Sequence, residues 1–167
     1  MSVVIRRAGR GDVAAIHQMI RELAAYERAP DAVVGTEAML ERALFAPRPS
    51  AEALIAEVCD EPAGFALFFQ SFSTWELRPG IWLEDLYVRE AHRRSGAGRA
   101  LMARLAQLAL ERGCARLEWH VLSWNEPAIR FYERIGAARL REWELQRLAG
   151  EALSAAAAMP APPPPSA

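Results

Sequence analysis

The chain has 167 residues, with 20 basic side chains against 21 acidic ones, a formal net charge of −1 and 52% hydrophobic residues. That length suits one domain with ample material for a core, and the balanced charge argues against coating nucleic acid or an anionic membrane through an overall cationic field. Every lysine-or-arginine position is arginine, and alanine contributes 33 residues, a bias read as genomic rather than as a design for phosphate.

Residues 1–7 carry charge too early, and too short an apolar run, for a signal peptide. No stretch approaches the length of a membrane span, so a soluble cytoplasmic protein is expected. Cys59 and Cys114 are too few for a disulfide framework and lack metal-site spacing. The first strand is expected over residues 3–7. A helix over 11–27 follows, with Val13, Ile16, Ile20, Leu23 and Ala24 at helical spacing and Asp12 in its first turn. Thr36 is placed to cap a shorter helix with Met39, Leu40, Ala43 and Leu44 on its apolar face.

Residues 53–59 and 63–72 read as a hairpin turning at 60–63, and 81–88 as a further strand. A long helix over 96–112 ends at Gly113, a strand covers 115–122, and a helix over 126–135 closes at Gly136. A last strand is expected over 138–148. Residues 152–167 hold seven alanines, five prolines and no charge, so an Ala/Pro-rich disordered tail over 151–167, with extended Pro162–Pro165, is expected to follow a domain of residues 1–150. Strands and helices in this order predict a mixed α/β sheet layered by helices.

Three segments carry chemistry. Between Arg89 and Arg99 lie four arginines, one histidine and a single acid, and the run Arg93-Arg94-Ser95-Gly96-Ala97-Gly98-Arg99 opens the long helix. Small residues, a helix N-terminus and local cations suit a phosphate, although taken alone the loop is also an ordinary helix start. It is neither a P-loop nor a dinucleotide fingerprint. In the preceding strand Glu84 and Asp85 sit side by side in an apolar run. With a period of two they face opposite ways unless a bulge intervenes. Because a buried carboxylate needs a partner, at least one of them is expected at a polar cleft. The third segment is Trp124-Asn125-Glu126-Pro127, where Asn125 suits an N-cap, followed by Phe131-Tyr132. By spacing alone Tyr132 is a core residue.

Together these residues resemble the GNAT superfamily of N-acetyltransferases through Arg93-x-x-Gly96-x-Gly98 between a strand and a helix. More narrowly the chain is similar to the diamine (spermidine/spermine) N-acetyltransferases. The shared features are Glu22-Leu23-Ala24-x-Tyr26-Glu27, Leu83-Glu84-Asp85 and Trp124-Asn125-Glu126-Pro127 with Phe131-Tyr132 and Gly136-Ala137, in order over residues 3–148. The resemblance implies a largely antiparallel mixed sheet with a central splay, about four flanking helices, and acetyl-CoA as cofactor, released as coenzyme A. It implies that Leu86, Tyr87 and Val88 hold the pantetheine arm, that residues from Arg93 to Arg99 hold the pyrophosphate, and that Asn125 touches the cofactor arm.

An alkyl ammonium, of pKa about 10.4, must lose a proton before it attacks a thioester. The resemblance gives Glu84 the role of base, directly or through water, and Tyr132 the role of acid that protonates the departing thiolate. A strand amide of Leu86 or Tyr87 would stabilise the oxyanion. Tyr26, Glu27, Trp75, Glu84, Asp85, Trp124 and Trp143 are implied around a small cationic amine. Ser123 and a short segment between Gly136 and Trp143 depart from the spermidine enzymes, which leaves room for a short diamine or a lysine analogue such as thialysine. A homodimer is implied. The competing readings are a non-catalytic acyl-CoA sensor and an acetyltransferase for a protein amine or an aminoglycoside.

Overall fold

In the computed structural model, which describes residues 2–160, the chain divides into two compact units, Met1–His120 and Val121–Ala167. The first unit holds the sheet. Strands β1 (Val3–Arg7), β2 (Glu52–Val58), β3 (Glu61–Ser73), β4 (Arg78–Val88) and β5 (Leu117–Trp119) lie in the order β1-β2-β3-β4-β5. All neighbours are antiparallel except β4 and β5, which run parallel. Helices α1 (Val13–Tyr26) and α2 (Glu37–Phe45) come before β2, and α3 (Ala97–Glu111) links β4 to β5. The second unit contains α4 (Glu126–Arg134) and α5 (Gly150–Ala157).

The sheet is covered on both faces, because four consecutive residues of β2, Ala53 to Ala56, are all buried while their side chains alternate. One face meets α1 and α2, where Ile16, Met19 and Leu44 pack with Ile55, Phe65 and Tyr87. The other meets the start of α3, since Gly98 lies against the side chains of Val88 and Leu86. The expected hairpin forms one residue earlier than its sequence signal. Cys59 and Asp60 both adopt left-handed φ, 54° and 64°, as a two-residue turn between twisted strands requires. Thr36 caps α2 by accepting the amide of Met39 at 3.3 Å.

Ion pairs lock the margins of this unit. Arg6 on β1 holds Asp12 at 2.7 Å and Glu57 on β2 at 2.8 Å. Asp12 also accepts the amide of Gly9 at 2.7 Å, and the Arg6 guanidinium keeps its carboxyl below the usual range. Arg112, just past α3, grips Glu52 through both carboxylate oxygens at 2.6 and 2.7 Å.

Three expectations fail. Residues 138–148 form no strand. Their apolar members Leu140, Trp143, Leu145 and Leu148 fall on both parities and stay exposed, so no single face exists to bury against a sheet. The strand expected over 115–122 shortens to β5. The segment read as a disordered tail instead starts with α5, a fifth α-helix beyond the expected four, because alanine is the strongest helix former. The extended stretch expected at Pro162–Pro165 lies outside the described residues.

Candidate active site

Pairing between β4 and β5 covers only Ile81, Trp82 and Leu83. Beyond Leu83 the two strands part, and the splay exposes one edge of β4. Because the amide of Arg89 donates to the carbonyl of Ala63 on β3, alternation turns the backbone of Tyr87 toward its β3 partner Phe65 and that of Leu86 and Val88 toward the open edge. Of the three residues expected to offer main-chain groups, Tyr87 therefore contributes its own to the ladder. Its ring is buried in the α1 core, where burial and the Glu22 carboxylate push its hydroxyl up.

The ladder slips by one residue at the same place. Leu67 pairs with Asp85 and Phe68 with Leu83, leaving Glu84 as the extra residue of a β-bulge. The slip reverses side-chain alternation along β4. Trp82, opposite Phe69, and Asp85, opposite Leu67, thus share the face that carries α1. Glu84 is exposed and Asp85 half-buried. The Asp85 carboxyl is pushed up to about 6, first by burial, then by the neighbouring charges of Glu84 and Glu27. Glu27, one residue past α1, is itself raised by burial. Asp85 and the two carboxylates whose charges raise it, Glu84 and Glu27, form an acidic cluster. Such a group attracts a cation and accepts a proton near neutrality.

The cationic loop follows β4. Gly96 is the N-cap of α3 with φ 93°, a conformation open to glycine at little cost, and a Cβ there would meet nothing within 4 Å. Arg94 is also left-handed, at φ 68°, and Arg93, Arg94 and Arg99 are exposed. The Ala97 amide donates to the Ser95 hydroxyl at 3.3 Å. The first-turn amides of Gly98 and Arg99 have no intrahelical acceptor. Together with the exposed guanidinia they form a cradle that fits a phosphate diester. Arg93 stands 4.9 Å over the ring of Tyr26, and its Nε donates to the Val88 carbonyl at 3.4 Å. The phosphate-type loop and the end of α1 are thereby in direct contact.

In the second unit Asn125 is buried and caps α4, its Oδ1 accepting the amide of Ala128 at 3.3 Å. Tyr132 lies on α4, half-buried rather than in a core, with its ring 5.3 Å from that of Phe131. Trp124 and Trp143 are both exposed.

Trp75 does not join the acids of its own chain. It is 83% exposed at the tip of the β3–β4 hairpin, and Glu84 lies six residue steps along β4 from Arg78, about 20 Å at strand rise. Two residues that the sequence reading passed over do join them. The Trp82 indole Nε1 donates to Glu84 Oε2 at 3.1 Å, and the ring of His120, just past β5, meets Trp82 edge-on at 4.7 Å. The available signal was an aromatic two residues before Glu84.

The sequence model of the acetyltransferase (GNAT) family matches residues 16–137. Thialysine N-epsilon-acetyltransferase of Bos taurus is 38% identical over 162 residues, covering 90% of this chain and 95% of that protein. L-ornithine N5-acetyltransferase NATA1 of Arabidopsis thaliana is 32% identical over 196 residues, covering 90% and 86%. Among solved structures, an integron cassette protein from the mobile metagenome of V. cholerae superposes with a TM-score of 0.79 at 31% identity, covering 95% of this chain and 99% of that one.

Proposed function

Because the chain belongs to the acetyltransferase (GNAT) family, we propose that it transfers an acetyl group from acetyl-CoA to the side-chain amine of a short diamino acid or diamine. The observation that carries this reading is the acidic cluster of Glu27, Glu84 and Asp85 beside the cationic cradle at the start of α3. One pole suits an alkyl ammonium and the other a pyrophosphate. Thialysine and ornithine, named for two relatives, are both short amines, which favours a compact substrate over a long polyamine.

Acetyl-CoA, when bound, supplies an acetyl group on a thioester. Arg93, Arg94 and Arg99, Ser95, and the backbone of Gly96, Ala97 and Gly98 would hold its phosphates, while the open edge at Leu86 and Val88 would offer main-chain groups to its arm. The family resemblance assigns Asn125 to the arm. On the amine side, Glu84 is the more exposed acid and meets the ammonium first. Asp85, pushed up to about 6, is the better-matched carboxylate to take the proton, because a base works best when its pKa lies near the operating pH. Tyr26 and Glu27 stand at the end of α1 beside these acids, and the family resemblance assigns Trp124 and Trp143 to the amine. Tyr132 would supply its phenolic proton to the sulfur of the broken thioester, and no covalent enzyme intermediate would be needed.

Acetyl-CoA turnover, followed by thiol release, is expected with thialysine or ornithine and at a lower rate with spermidine, putrescine, an aminoglycoside or a lysine peptide. A preference for the aminoglycoside or the peptide defeats the proposed substrate class, and thiol release with no member of the panel defeats the enzyme reading.

We further propose a homodimer acting in the cytoplasm. Phe72, Trp75 and Leu77 project from the hairpin tip as exposed apolar side chains, a type of surface that marks an interface. Trp75 reaches an amine pocket only from a second copy. The free cysteines, Cys59 exposed and Cys114 buried, fit a reducing compartment. Light scattering should give twice the chain mass of 18.5 kDa, and Trp75→Ala should weaken the assembly. A wild-type monomer at micromolar concentration removes the dimer.

A further inference from the structure

We propose that Trp82 is the positioning residue for Glu84, with His120 seating its indole, so that one carboxylate oxygen is fixed and the other is presented to the substrate's ammonium. The inference rests on the reading of Glu84 as the acid that meets the amine.

The bulge itself creates the need for such a residue. As the extra member of the strand, Glu84 has no cross-strand partner on β3, so the ladder does not orient its side chain. It is also exposed, and a free glutamate side chain samples many rotamers. Trp82 supplies the missing constraint. An indole N–H only donates and a carboxylate oxygen accepts, so the 3.1 Å contact from Nε1 to Oε2 engages that oxygen and leaves Oε1 for a second donor. An alkyl ammonium is such a donor.

Trp82 is itself held from two sides. Phe69, its register partner on β3, lies 6.5 Å away with the rings tilted by 32°. The His120 ring stands nearly perpendicular to the indole, at 79° and 4.7 Å, in the favourable edge-to-face geometry. His120 directly follows Trp119, the last residue of β5 paired with β4. It therefore sits at the apex of the splay, where it ties the mouth of the opening to the orientation of Glu84.

The test uses the full chain, with the best amine of the panel and saturating acetyl-CoA at pH 9. Trp82→Phe keeps an aromatic ring and removes the donor. It should lower kcat/KM for the amine about fivefold, the scale of one exposed charge-assisted hydrogen bond, with coenzyme A affinity unchanged. Glu84→Ala should lose more. In the Glu84→Ala background Trp82→Phe should cost less than about twofold, because the group it positions is gone. His120→Phe should keep the rate and His120→Ala should lose about half of it, the scale of one exposed edge-to-face contact.

Equal losses from Trp82→Phe in both backgrounds would mean a general structural role and would overturn the inference, as would an unaltered rate in the single variant. A wild-type enzyme inert toward every amine overturns the functional reading as well, so the two failures are distinguishable.

Discussion

Asp85→Asn should lower kcat/KM for the amine about a hundredfold at pH 7, the lower end of what a positioned general base contributes, and should at the same time make the protein more stable. Both effects come from one carboxylate held half-buried beside two others. In the folded protein its pKa is about 6 against an ordinary 3.8. The folded state therefore binds this proton more tightly than the unfolded chain. Stability associated with the group is complete below pH 3.8, falls as the pH rises from about 4 to 6, and is absent above 6.

Asparagine removes that cost, so urea unfolding at pH 7 should show a gain of about 2 kcal/mol that vanishes toward pH 4. The activity deficit should shrink near pH 10, where the amine loses its proton without help. In the wild type, kcat/KM should fall on the acid side with a pKa near 6. Glu84→Gln should move that limb to lower pH, because a like charge beside Asp85 is gone. A fully active Asp85→Asn enzyme at pH 7 would exclude Asp85 as the proton acceptor.

Tyr132→Phe should lower kcat by at least an order of magnitude while the dissociation constant for coenzyme A stays the same. An amine attacking a thioester expels a thiolate whose conjugate acid has a pKa of roughly 8.5, and a phenol of pKa about 10 can protonate it as it leaves. Tyr132 is mounted on α4, whose start is pinned by Asn125 and by Pro127 in the first turn. The variant keeps the ring and its contact with Phe131, so its folding is expected to be intact. A change in coenzyme A affinity with kcat preserved would assign Tyr132 to binding alone.

Local signals in the sequence were sufficient for α1, α2, α3 and the β2–β3 hairpin. Thr36, Gly113 and the alternating runs act within a few residues of where they stand, whereas Asp12, expected in the first turn of α1, lies ahead of it and is taken by Arg6 and the Gly9 amide. The bulge at Glu84 was not readable in the same way. Two adjacent acids in an apolar strand signal a break in alternation. Which residue drops out, however, depends on Leu67 and Phe68 of another strand, and no local pattern encodes that register. The part of Trp82 and His120 was hidden for a similar reason, since they meet across β4 and β5. The place of Trp75 depends on the length of β4 between it and Glu84, which aromatic chemistry does not carry. In the segment 138–148, apolar content suggested a strand while its mixed parity already opposed one.

The one-residue slip in β4 has a consequence for how this strand can change in evolution. Deleting Glu84 would restore regular alternation from Arg78 to Val88 and still leave Asp85 opposite Leu67 and Tyr87 opposite Phe65, on the face they now hold. Only the bulge's own acid would be lost. Adding one residue between Asp85 and Tyr87 would instead swing Tyr87 to the opposite face and remove a wall of the α1 core. Past the slip, length changes are therefore permitted only in pairs, whereas the bulge position itself and the hairpin tip beyond Arg78 are under no such arithmetic. Odd insertions and deletions should keep the fold around Trp75 and at Glu84 and break it between Asp85 and Val88, a pattern that a deletion scan would display without any substrate in hand.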